Sequence, residues 1–347
     1  MKALVIEKPR QAEIREIPLS PLTGDMVRIR VKYAGLCATD LAIYSGDCSF
    51  VRDGLIRYPI RPGHEYAGVV AEVGPDVTAF RPGDRVFSDC AVTCGKCQAC
   101  RENRFGDCPE IRSLGTVNTW DGCFAEFQDM PERHVHALPD NVSLEEGALI
   151  EPAAVSYDAF RGVSLTSADS AAVIGTGPIG MAAAWVAKNL GAGCVIMIGR
   201  NQGKLEIAKK IGADAVIDST QGSNAVEEVR RLTNGRGADL IVEATGAEAA
   251  LKTAIEAVRT DGRVSLAGFF DRPLKEFSID EPILKGVSLC GAAGRFGNAV
   301  KVSKLMEKSP LKLTPVITHR VKFADCLEFF ENEQKYHKDK IKVMMEF

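Results

Sequence analysis

The chain has 347 residues, of which 46% are hydrophobic and 26% are charged, and its formal net charge is −3. This length favours two domains with separate cores, and the slight negative charge excludes a strong electrostatic attraction to nucleic acid or to an anionic membrane, both of which need a basic surface. Small molecules and further copies of the chain are therefore the expected partners.

No targeting or membrane segment is expected. Charges at Glu7 and Lys8 interrupt the apolar amino terminus, and no apolar run approaches the ~20 residues of a membrane span. The eleven cysteines of such a chain are expected to be thiols or metal ligands in a reducing compartment. A cytoplasmic location is the corresponding expectation.

Residues 1–140 contain short strand patterns that are separated by proline and glycine turns. Residues 26–33 alternate apolar and polar side chains, which indicates a half-buried strand. Two further apolar stretches, 69–73 and 85–87, flank the turn Arg81-Pro82-Gly83-Asp84. Many short strands with turn signals predict a small β-barrel or sandwich.

Three potential metal ligands lie in this region. Cys37 is followed by Ala38-Thr39-Asp40, and His64 and Glu65 stand together in Gly63-His64-Glu65-Tyr66-Ala67-Gly68. A thiolate, an imidazole and a carboxylate from separate loops form the mixed ligand set of a catalytic zinc site, which keeps one position open. Taken alone, His64 and Glu65 are better explained as a loop histidine beside a surface glutamate. Two further motifs favour the metal site.

The first motif is a group of four cysteines, spaced two, two and seven residues apart: Cys94, Cys97, Cys100 and Cys108. Four thiolates surround one zinc ion tetrahedrally and leave no open position, so this group predicts a structural zinc site. The alternatives are two disulfides or an iron–sulfur ligand set. Disulfides are disfavoured in a reducing compartment, and the spacing differs from the common iron–sulfur patterns.

A helix is predicted to begin at Ser143, because Ser143-Leu-Glu-Glu146 is the pattern of a capping box, and to run into Glu151-Pro152. From about residue 171, strand patterns alternate with helical ones, which predicts an α/β fold with a parallel doubly wound sheet. The predicted strands are 171–175, 194–199, 215–217, 240–243, 263–267 and 287–290. Residues 325–336 resemble an amphipathic helix, and residues 340–347 a closing strand.

The second motif is Gly175-Thr176-Gly177-Pro178-Ile179-Gly180, which follows the apolar residues 171–174 and opens a helical stretch at 181–190. A lone glycine pattern is weak evidence. Here the strand–turn–helix context is that of a dinucleotide-binding turn, in which backbone N–H groups at a helix start bind the pyrophosphate.

The order of these motifs resembles that of the zinc-dependent medium-chain dehydrogenases, and more narrowly their sorbitol (L-iditol) and threonine dehydrogenase branch. The resemblance covers nearly the whole chain, and Gly63-His64-Glu65-x-x-Gly68-x5-Gly74-x-x-Val77 fits the zinc signature of the family at every fixed position. It implies a GroES-like β-barrel catalytic domain at 1–152, a Rossmann NAD(P)-binding domain at 153–290, and a C-terminal segment at 291–347 that returns to the catalytic domain.

The resemblance also implies roles at a catalytic zinc ion. Cys37, His64 and Glu65 correspond to its ligands, and Glu151 to a carboxylate that ligates it directly or holds its bound water. Thr39 corresponds to a hydroxyl that relays the proton outward. With the four-cysteine group, two zinc ions per chain are expected. The catalytic one would act as a Lewis acid on a secondary alcohol while a hydride passes to the nicotinamide.

For the cofactor, the resemblance places Gly199 where the sorbitol dehydrogenases have an aspartate that accepts from the ribose 2′-hydroxyl. The next residue is Arg200, which suits a 2′-phosphate. NADP(H) is therefore expected to be preferred over NAD(H), and the alternative is a solvated Arg200 in an NAD enzyme. The residues expected to contact the cofactor are Gly175, Gly177, Pro178, Ile179, Gly180, Gly199 and Arg200.

The polyol branch favours a secondary alcohol of a polyhydroxylated substrate, and Arg295 resembles an arginine that contacts polyol in sorbitol dehydrogenases, with the local spacing shifted by one residue. A phosphorylated polyol or a sugar acid is an alternative, because Arg52, Arg57 and Arg61 lie between Cys37 and His64. L-Threonine is another, although the threonine branch has a histidine where this chain has an alanine, at position 42.

A non-catalytic NADP(H)-binding protein is the alternative of another class, and retention of the whole zinc ligand set argues against it. The resemblance further implies a homodimer or a homotetramer, in which the dimer forms through the sheet edge of the cofactor domain.

Overall fold

The computed structural model describes residues 1–220, 224–271, 273–336 and 338–347. The chain divides into two compact units. Unit 1 comprises residues 1–151, 299–307 and 317–347, and unit 2 comprises residues 152–298 and 308–316. The C-terminal part of the chain, predicted to belong to the catalytic domain from residue 291 onward, is thus shared between the units.

Unit 1 is built mainly from strands. In its first 151 residues these are β1 (Lys2–Lys8), β2 (Gln11–Glu16), β3 (Met26–Leu36), β4 (Glu65–Val73), β5 (Arg85–Ser88), β6 (Ala91–Val92), β7 (Arg112–Ser113), β8 (Phe127–Pro131) and β9 (Val135–Ala137). The helices are α1 (Ala38–Ser45), α2 (Ser49–Arg52), α3 (Gln98–Arg101), α4 (Leu144–Gly147) and α5 (Ile150–Asp158), which continues into unit 2. Single 3-10 turns lie at Phe105–Asp107 and Glu132–His134.

Strand β3 is the centre of unit 1, because it pairs with β4, β8 and the last strand of the chain. Its alternation puts Val27, Ile29 and Val31 into the apolar core. Arg28, which points the other way, is also buried, and its guanidinium is held by Asp129 and Glu72. The strand continues three residues beyond the predicted end at 33, as far as Leu36, and so reaches the candidate metal ligands.

The predicted capping box at Ser143 is present. The Ser143 side chain accepts from the backbone N–H of Glu146, and the Glu146 carboxylate accepts from the backbone N–H of Ser143. The helix that it opens, α4, ends at Gly147. Residues 144–158 therefore form two short helices, and Glu151 lies in the first turn of α5.

Unit 2 is a parallel sheet of six strands with helices between them. The strands are β10 (Ser170–Ile174), β11 (Cys194–Gly199), β12 (Ala215–Asp218), β13 (Ala238–Glu243), β14 (Val258–Leu266) and β15 (Ser288–Gly291). The helices are α6 (Pro178–Asn189), α7 (Gln202–Lys210), α8 (Ala225–Leu232), α9 (Glu248–Ala257) and α10 (Asp280–Leu284). The strand order is β12-β11-β10-β13-β14-β15, so the direction of winding reverses between β10 and β13. This is the doubly wound order that the sequence predicts, and ligands of such sheets bind at the reversal point.

The last part of the chain contains α11 (Asn298–Lys308), β16 (Ile317–Lys322), α12 (Cys326–Glu331) and β17 (Lys342–Glu346), with 3-10 turns at Thr314–Val316, Phe323–Asp325 and Glu333–Tyr336. The prediction of a single helix over 325–336 is wrong, because α12 ends at Glu331 and only a 3-10 turn follows. The closing strand is present as β17, which pairs with β3 in unit 1. In unit 2, the indole N–H of Trp185 donates to the carbonyl of Leu311.

Among the helices that the structure describes, none is long and apolar enough to span a membrane.

Candidate functional site

Three predicted metal ligands come together in unit 1. One ligand atom each of Cys37, His64 and Glu65 lies within 4.8 Å of the others. The sheet explains this grouping, because Gly35 near the end of β3 is the antiparallel partner of Glu65 at the start of β4. Cys37 follows the end of β3 directly and His64 precedes β4. A thiolate, an imidazole and a carboxylate at this separation fit one divalent cation such as zinc.

Asp40 organises the loops that carry this cluster. Its fully buried carboxylate accepts from the backbone N–H groups of Cys37 (2.9 Å) and Gly63 (3.1 Å). It also lies 3.7 Å from Nδ1 of His64, a buried atom with no hydrogen-bond partner among the described residues. Burial alone would lower the pKa of His64, but the charges of Asp40 and Cys37 raise it well above its ordinary value. A metal-ligating histidine almost always donates its other ring N–H to a carboxylate, a backbone carbonyl or a water, and Asp40 lies where it can orient His64 in this way.

The Glu65 carboxylate has a partner that sequence analysis missed. Nζ of Lys342, in β17, lies 2.7 Å and 2.6 Å from its two oxygens, and both side chains are only 1% exposed. On the other side, the carboxylate occupies the space over Gly35. A Cβ atom there would lie 2.1 Å from one Glu65 oxygen, so the glycine is required by this close approach.

Two further predicted residues lie in the same unit. Oγ1 of Thr39 is 3.6 Å from Sγ of Cys37, a position from which it can exchange a proton with the site. Glu151 is half-buried, and its ligand atoms are not part of the close cluster found among the described residues. Burial raises the pKa of Glu151 to about 7, and the charge of Glu65 acts in the same direction. The direct ligation of metal by Glu151 stays a prediction.

The four cysteines of the structural site are also grouped. Their sulfur atoms lie within 4.8 Å of one another, with Sγ–Sγ distances of 3.4 Å for Cys97–Cys100 and 3.9 Å for Cys94–Cys100. Four sulfurs around a zinc ion at ~2.3 Å are about 3.8 Å apart, whereas a disulfide needs about 2.05 Å. Backbone N–H groups of Lys96 and Cys97 lower the pKa of the Cys94 thiol to about 6. The geometry fits a metal and argues against the disulfide alternative.

A buried histidine supports this lobe. Nε2 of His134 accepts from the backbone N–H of Thr93, at 3.1 Å, and its Nδ1 lies 3.1 Å from the carboxylate of Asp89. The proton is therefore on Nδ1, and the ring holds the residue that precedes Cys94. His134 thus acts in packing and hydrogen bonding.

In unit 2, the glycine motif forms a tight turn between β10 and α6. Gly175 has φ +116°, and a Cβ on Gly180 would lie 1.8 Å from the carbonyl oxygen of Gly175. A Cβ on Gly177, by contrast, would meet no atom within 4 Å. Pro178 is the first residue of α6. Ile179 lies in the first turn of α6. The glycine turn therefore leaves open space at a helix start, as the approach of a pyrophosphate requires.

The end of β11 differs from that of an NAD site with an aspartate. A Cβ on Gly199 would lie 2.4 Å from Cγ2 of Thr176 and 3.2 Å from Leu205, so the Thr176 methyl fills the space that a side chain needs. Arg200 follows at the surface. Arg295, the tentative substrate residue, lies in unit 2 and is paired with the buried Asp158 at 3.5 Å, while 59% of its side chain is exposed.

The comparisons with known proteins agree with this architecture. Residues 23–140 match the model of the alcohol dehydrogenase GroES-like domain, and residues 178–322 that of the zinc-binding dehydrogenase family. A sorbitol dehydrogenase of Bacillus subtilis is 37% identical over 268 residues, which are 77% of this chain and 75% of the relative. An L-threonine 3-dehydrogenase of Bacillus licheniformis is 33% identical over 96% of both chains.

Among solved structures, galactitol-1-phosphate dehydrogenase from Escherichia coli superposes with a TM-score of 0.88 at 27% identity and covers all of both chains. The expected combination of a GroES-like barrel with a Rossmann sheet is thereby confirmed.

Proposed function

The chain belongs to the zinc-type medium-chain dehydrogenase family and is an alcohol or polyol dehydrogenase, and we propose that it transfers a hydride between NADP(H) and a secondary alcohol of a polyol or sugar-derived substrate. The observation that carries the proposal is the cluster of Cys37, His64 and Glu65, whose ligand atoms lie within 4.8 Å of one another. When bound, zinc supplies Lewis acidity that lowers the pKa of a substrate hydroxyl.

The protein groups around this cluster position the ligands and handle the proton. Asp40 fixes the loops of Cys37 and His64 through two backbone N–H groups. Thr39, beside Cys37, is placed to pass a proton from the substrate hydroxyl outward. Glu151, whose pKa burial raises to about 7, is able to hold or release a proton near neutral pH.

The preference for NADP(H) is supported at the end of β11. An aspartate at position 199 would collide with Thr176, so the carboxylate that would repel a 2′-phosphate is absent for a steric reason. Arg200 provides a guanidinium in the next position, and its planar fork matches a phosphate. Both features favour the phosphorylated cofactor.

A polyol is supported over threonine, because position 42 carries alanine where the threonine branch has histidine. Similarity to a galactitol-1-phosphate dehydrogenase keeps a phosphorylated polyol as the second candidate. Two of the three arginines considered for a phosphate are engaged otherwise. Arg61 is 8% exposed with Gln128 beside its guanidinium, and Arg52 pairs with Asp47. Of the three, Arg57 is left as a candidate to bind a phosphate. A neutral polyol is therefore the better-supported substrate.

A homo-oligomer is supported by one edge of the parallel sheet. Among the strands that the structure describes, β15 pairs with β14 alone, and Leu289 in it is 37% exposed. Ile283 and Leu284, just before this strand, are 66% and 85% exposed. An unpaired strand edge beside apolar side chains is suited to pairing with the same strand of a second copy.

The test of the catalytic site is metal content by mass spectrometry, followed in the same sample by NADPH and NADH oxidation with a panel of ketoses and ketose phosphates. The expected result is two zinc ions per chain and NADPH-dependent turnover. Cys37→Ser should lose one zinc ion and the activity. Cys48→Ser, outside the cluster, should keep both zinc ions and the activity. Turnover by Cys37→Ser with both zinc ions retained would refute the site.

The cofactor proposal is tested by fluorescence titration of NADPH and NADH binding. Arg200→Ser should weaken NADPH binding by about 1.5–3 kcal/mol, the usual contribution of hydrogen bonds to a charged group, or roughly 10- to 150-fold, and leave NADH binding nearly unchanged. Gly199→Asp alone should disturb the turn. Thr176→Ala combined with Gly199→Asp should bind NADH. Equal losses for both cofactors in Arg200→Ser would argue against the 2′-phosphate contact.

A further inference from the structure

Lys342 forms a buried ion pair at the candidate metal centre. Its ammonium has three donors, and each has an acceptor: the two carboxylate oxygens of Glu65, at 2.7 Å and 2.6 Å, and the carbonyl oxygen of Leu36, at 3.3 Å. Pairing of β17 with β3 brings the lysine here from 277 residues along the chain. The contact is thus fully satisfied and fixed by backbone pairing.

Stability alone gives little reason for this pair. Removing two charges from water is costly, and a pair of well-packed apolar side chains is commonly as stable as a buried ion pair. Both side chains are 1% exposed, so the cost of desolvation is large. The position of Glu65 suggests another reason, because the same carboxylate belongs to the cluster with Cys37 and His64.

The charges of the cluster show what the lysine changes. The thiolate of Cys37 and the carboxylate of Glu65 together carry −2, which would cancel a divalent cation. The ammonium of Lys342 adds +1, so it makes this buried place, which also holds the Asp40 carboxylate beside His64, more positive by one unit charge, and charges interact strongly there. A carboxylate that already accepts two hydrogen bonds is also a weaker electron donor.

We propose that Lys342 is a positioning residue of the metal centre, which holds Glu65 in place and offsets its charge, so that the centre binds a divalent cation less tightly and leaves it more positive toward a substrate oxygen. This inference rests on the proposed function, since it takes Cys37, His64 and Glu65 to be the metal ligands. When Lys342 is replaced, this proposal and a purely structural role predict opposite changes in metal affinity. A lysine that only anchors β17 would, when replaced, disorder Glu65 and weaken metal binding, whereas the proposal requires stronger binding.

The test is the affinity for Co²⁺, measured by competition with a chelator at pH 8, in the full-length protein and its variants. Cys37→Ala identifies which bound metal belongs to this centre. Lys342→Gln removes the charge but can still donate to Glu65, and it should bind Co²⁺ at this centre at least tenfold more tightly. Lys342→Arg, which keeps the charge, should stay close to the unmodified protein.

Arg28→Gln is the matched control. Arg28 is a buried cation of the same unit, paired with Asp129 and Glu72, and it lies outside the cluster. The variant should lower the melting temperature without changing the Co²⁺ affinity. If Lys342→Gln does not fold, Glu65→Gln is compared with Glu65→Gln/Lys342→Met, and the double variant should bind at least tenfold more tightly.

The failures of the two proposals are distinguishable. Unchanged or weaker Co²⁺ binding by Lys342→Gln, or by the double variant relative to Glu65→Gln, would overturn the role of Lys342 and leave the metal centre standing. Absence of a metal that Cys37→Ala removes from the unmodified protein would overturn both the metal centre and the role of Lys342.

Discussion

The close approach of Glu65 to the backbone of β3 predicts that Gly35→Ala will damage the metal centre. The added Cβ would lie 2.1 Å from one carboxylate oxygen and 3.2 Å from the Cβ and Cδ atoms of Glu65, whereas real Cβ atoms essentially never come within 3.0 Å of another heavy atom. The carboxylate cannot simply rotate away, because Lys342 holds both of its oxygens. Either the strand or the ion pair must therefore shift.

The expected cost is that of an overpacked interior, about 1–3 kcal/mol. Since ~1 kcal/mol changes the melting temperature of a 150–250-residue domain by about 2–4 °C, the melting temperature of unit 1 should fall by roughly 2–12 °C. Mass spectrometry should show one zinc ion instead of two, because displacement of Glu65 removes a ligand.

Gly106→Ala is the matched control, since a Cβ there would meet no atom within 4 Å and the residue is exposed in the same unit. It should keep both zinc ions and the melting temperature. A Gly35→Ala protein with unchanged stability and both zinc ions would refute the argument that Glu65 needs this space.

Three further predictions concern single side chains. Asp40→Asn should lose the catalytic zinc but keep the structural one, since the backbone N–H groups of Cys37 and Gly63 use one carboxylate oxygen each and the amide replaces one of these acceptors with a donor; a metal count of two would contradict this. Cys108→Ser should lose only the structural zinc and make residues 94–113 sensitive to limited proteolysis, and an unchanged digestion pattern would argue against a metal-held lobe. Burial would raise the pKa of Asp239, but hydrogen bonds from Ser170 and Arg259 lower it below that of an unfolded aspartate, about 3.9. Its contribution to stability is therefore present above pH ~4 and lost as the pH falls through the folded-state pKa, so Asp239→Asn should lower the free energy of unfolding by about 1–3 kcal/mol at pH 7. In urea titrations this difference should shrink below pH ~4, and a difference independent of pH would contradict the argument.

The parallel sheet was largely predictable because buried parallel strands are apolar runs bounded by turns. The prediction for 194–199 is confirmed, and most others differ by one or two residues at an end. Strand β14 is the exception, since it begins at Val258 and the prediction began at 263. Residues 260–262 (Thr-Asp-Gly) look like a turn, and Asp261 does have a positive φ. The strand nevertheless continues through them because its pairing with β13 shifts register here.

The predicted C-terminal helix was too long for a related reason. Residues 325–336 carry a helical pattern of apolar and charged side chains, but the pattern does not show where the backbone hydrogen bonds stop. Asn332 leaves the helical conformation, with φ −115° and ψ 22°, and ends α12. Asparagine competes for local hydrogen bonds and often stands at such an end.

At the candidate metal centre, sequence reasoning found the three clustered ligands and missed the ammonium of Lys342, which pairs with one of them. Cys37, His64 and Glu65 have recognisable types and spacing, whereas the position of Asp40 beside His64 emerges only from the structure. Lys342 has no local signal, because a lysine near a chain end is ordinarily solvated. It could be found only from the pairing of β17 with β3.

This pairing brings distant parts of unit 1 together at the candidate centre. The antiparallel partnership of Gly35 with Glu65 brings the cysteine and histidine loops together, and it requires a glycine so that the carboxylate fits. The same strand, β3, receives β17 on its other edge, which delivers the ammonium to that carboxylate. Two neighbouring pairings of one strand thus bring together the three candidate ligands and the ammonium that pairs with one of them. A change that loosens either edge of β3 should therefore alter metal affinity, even where it touches no ligand.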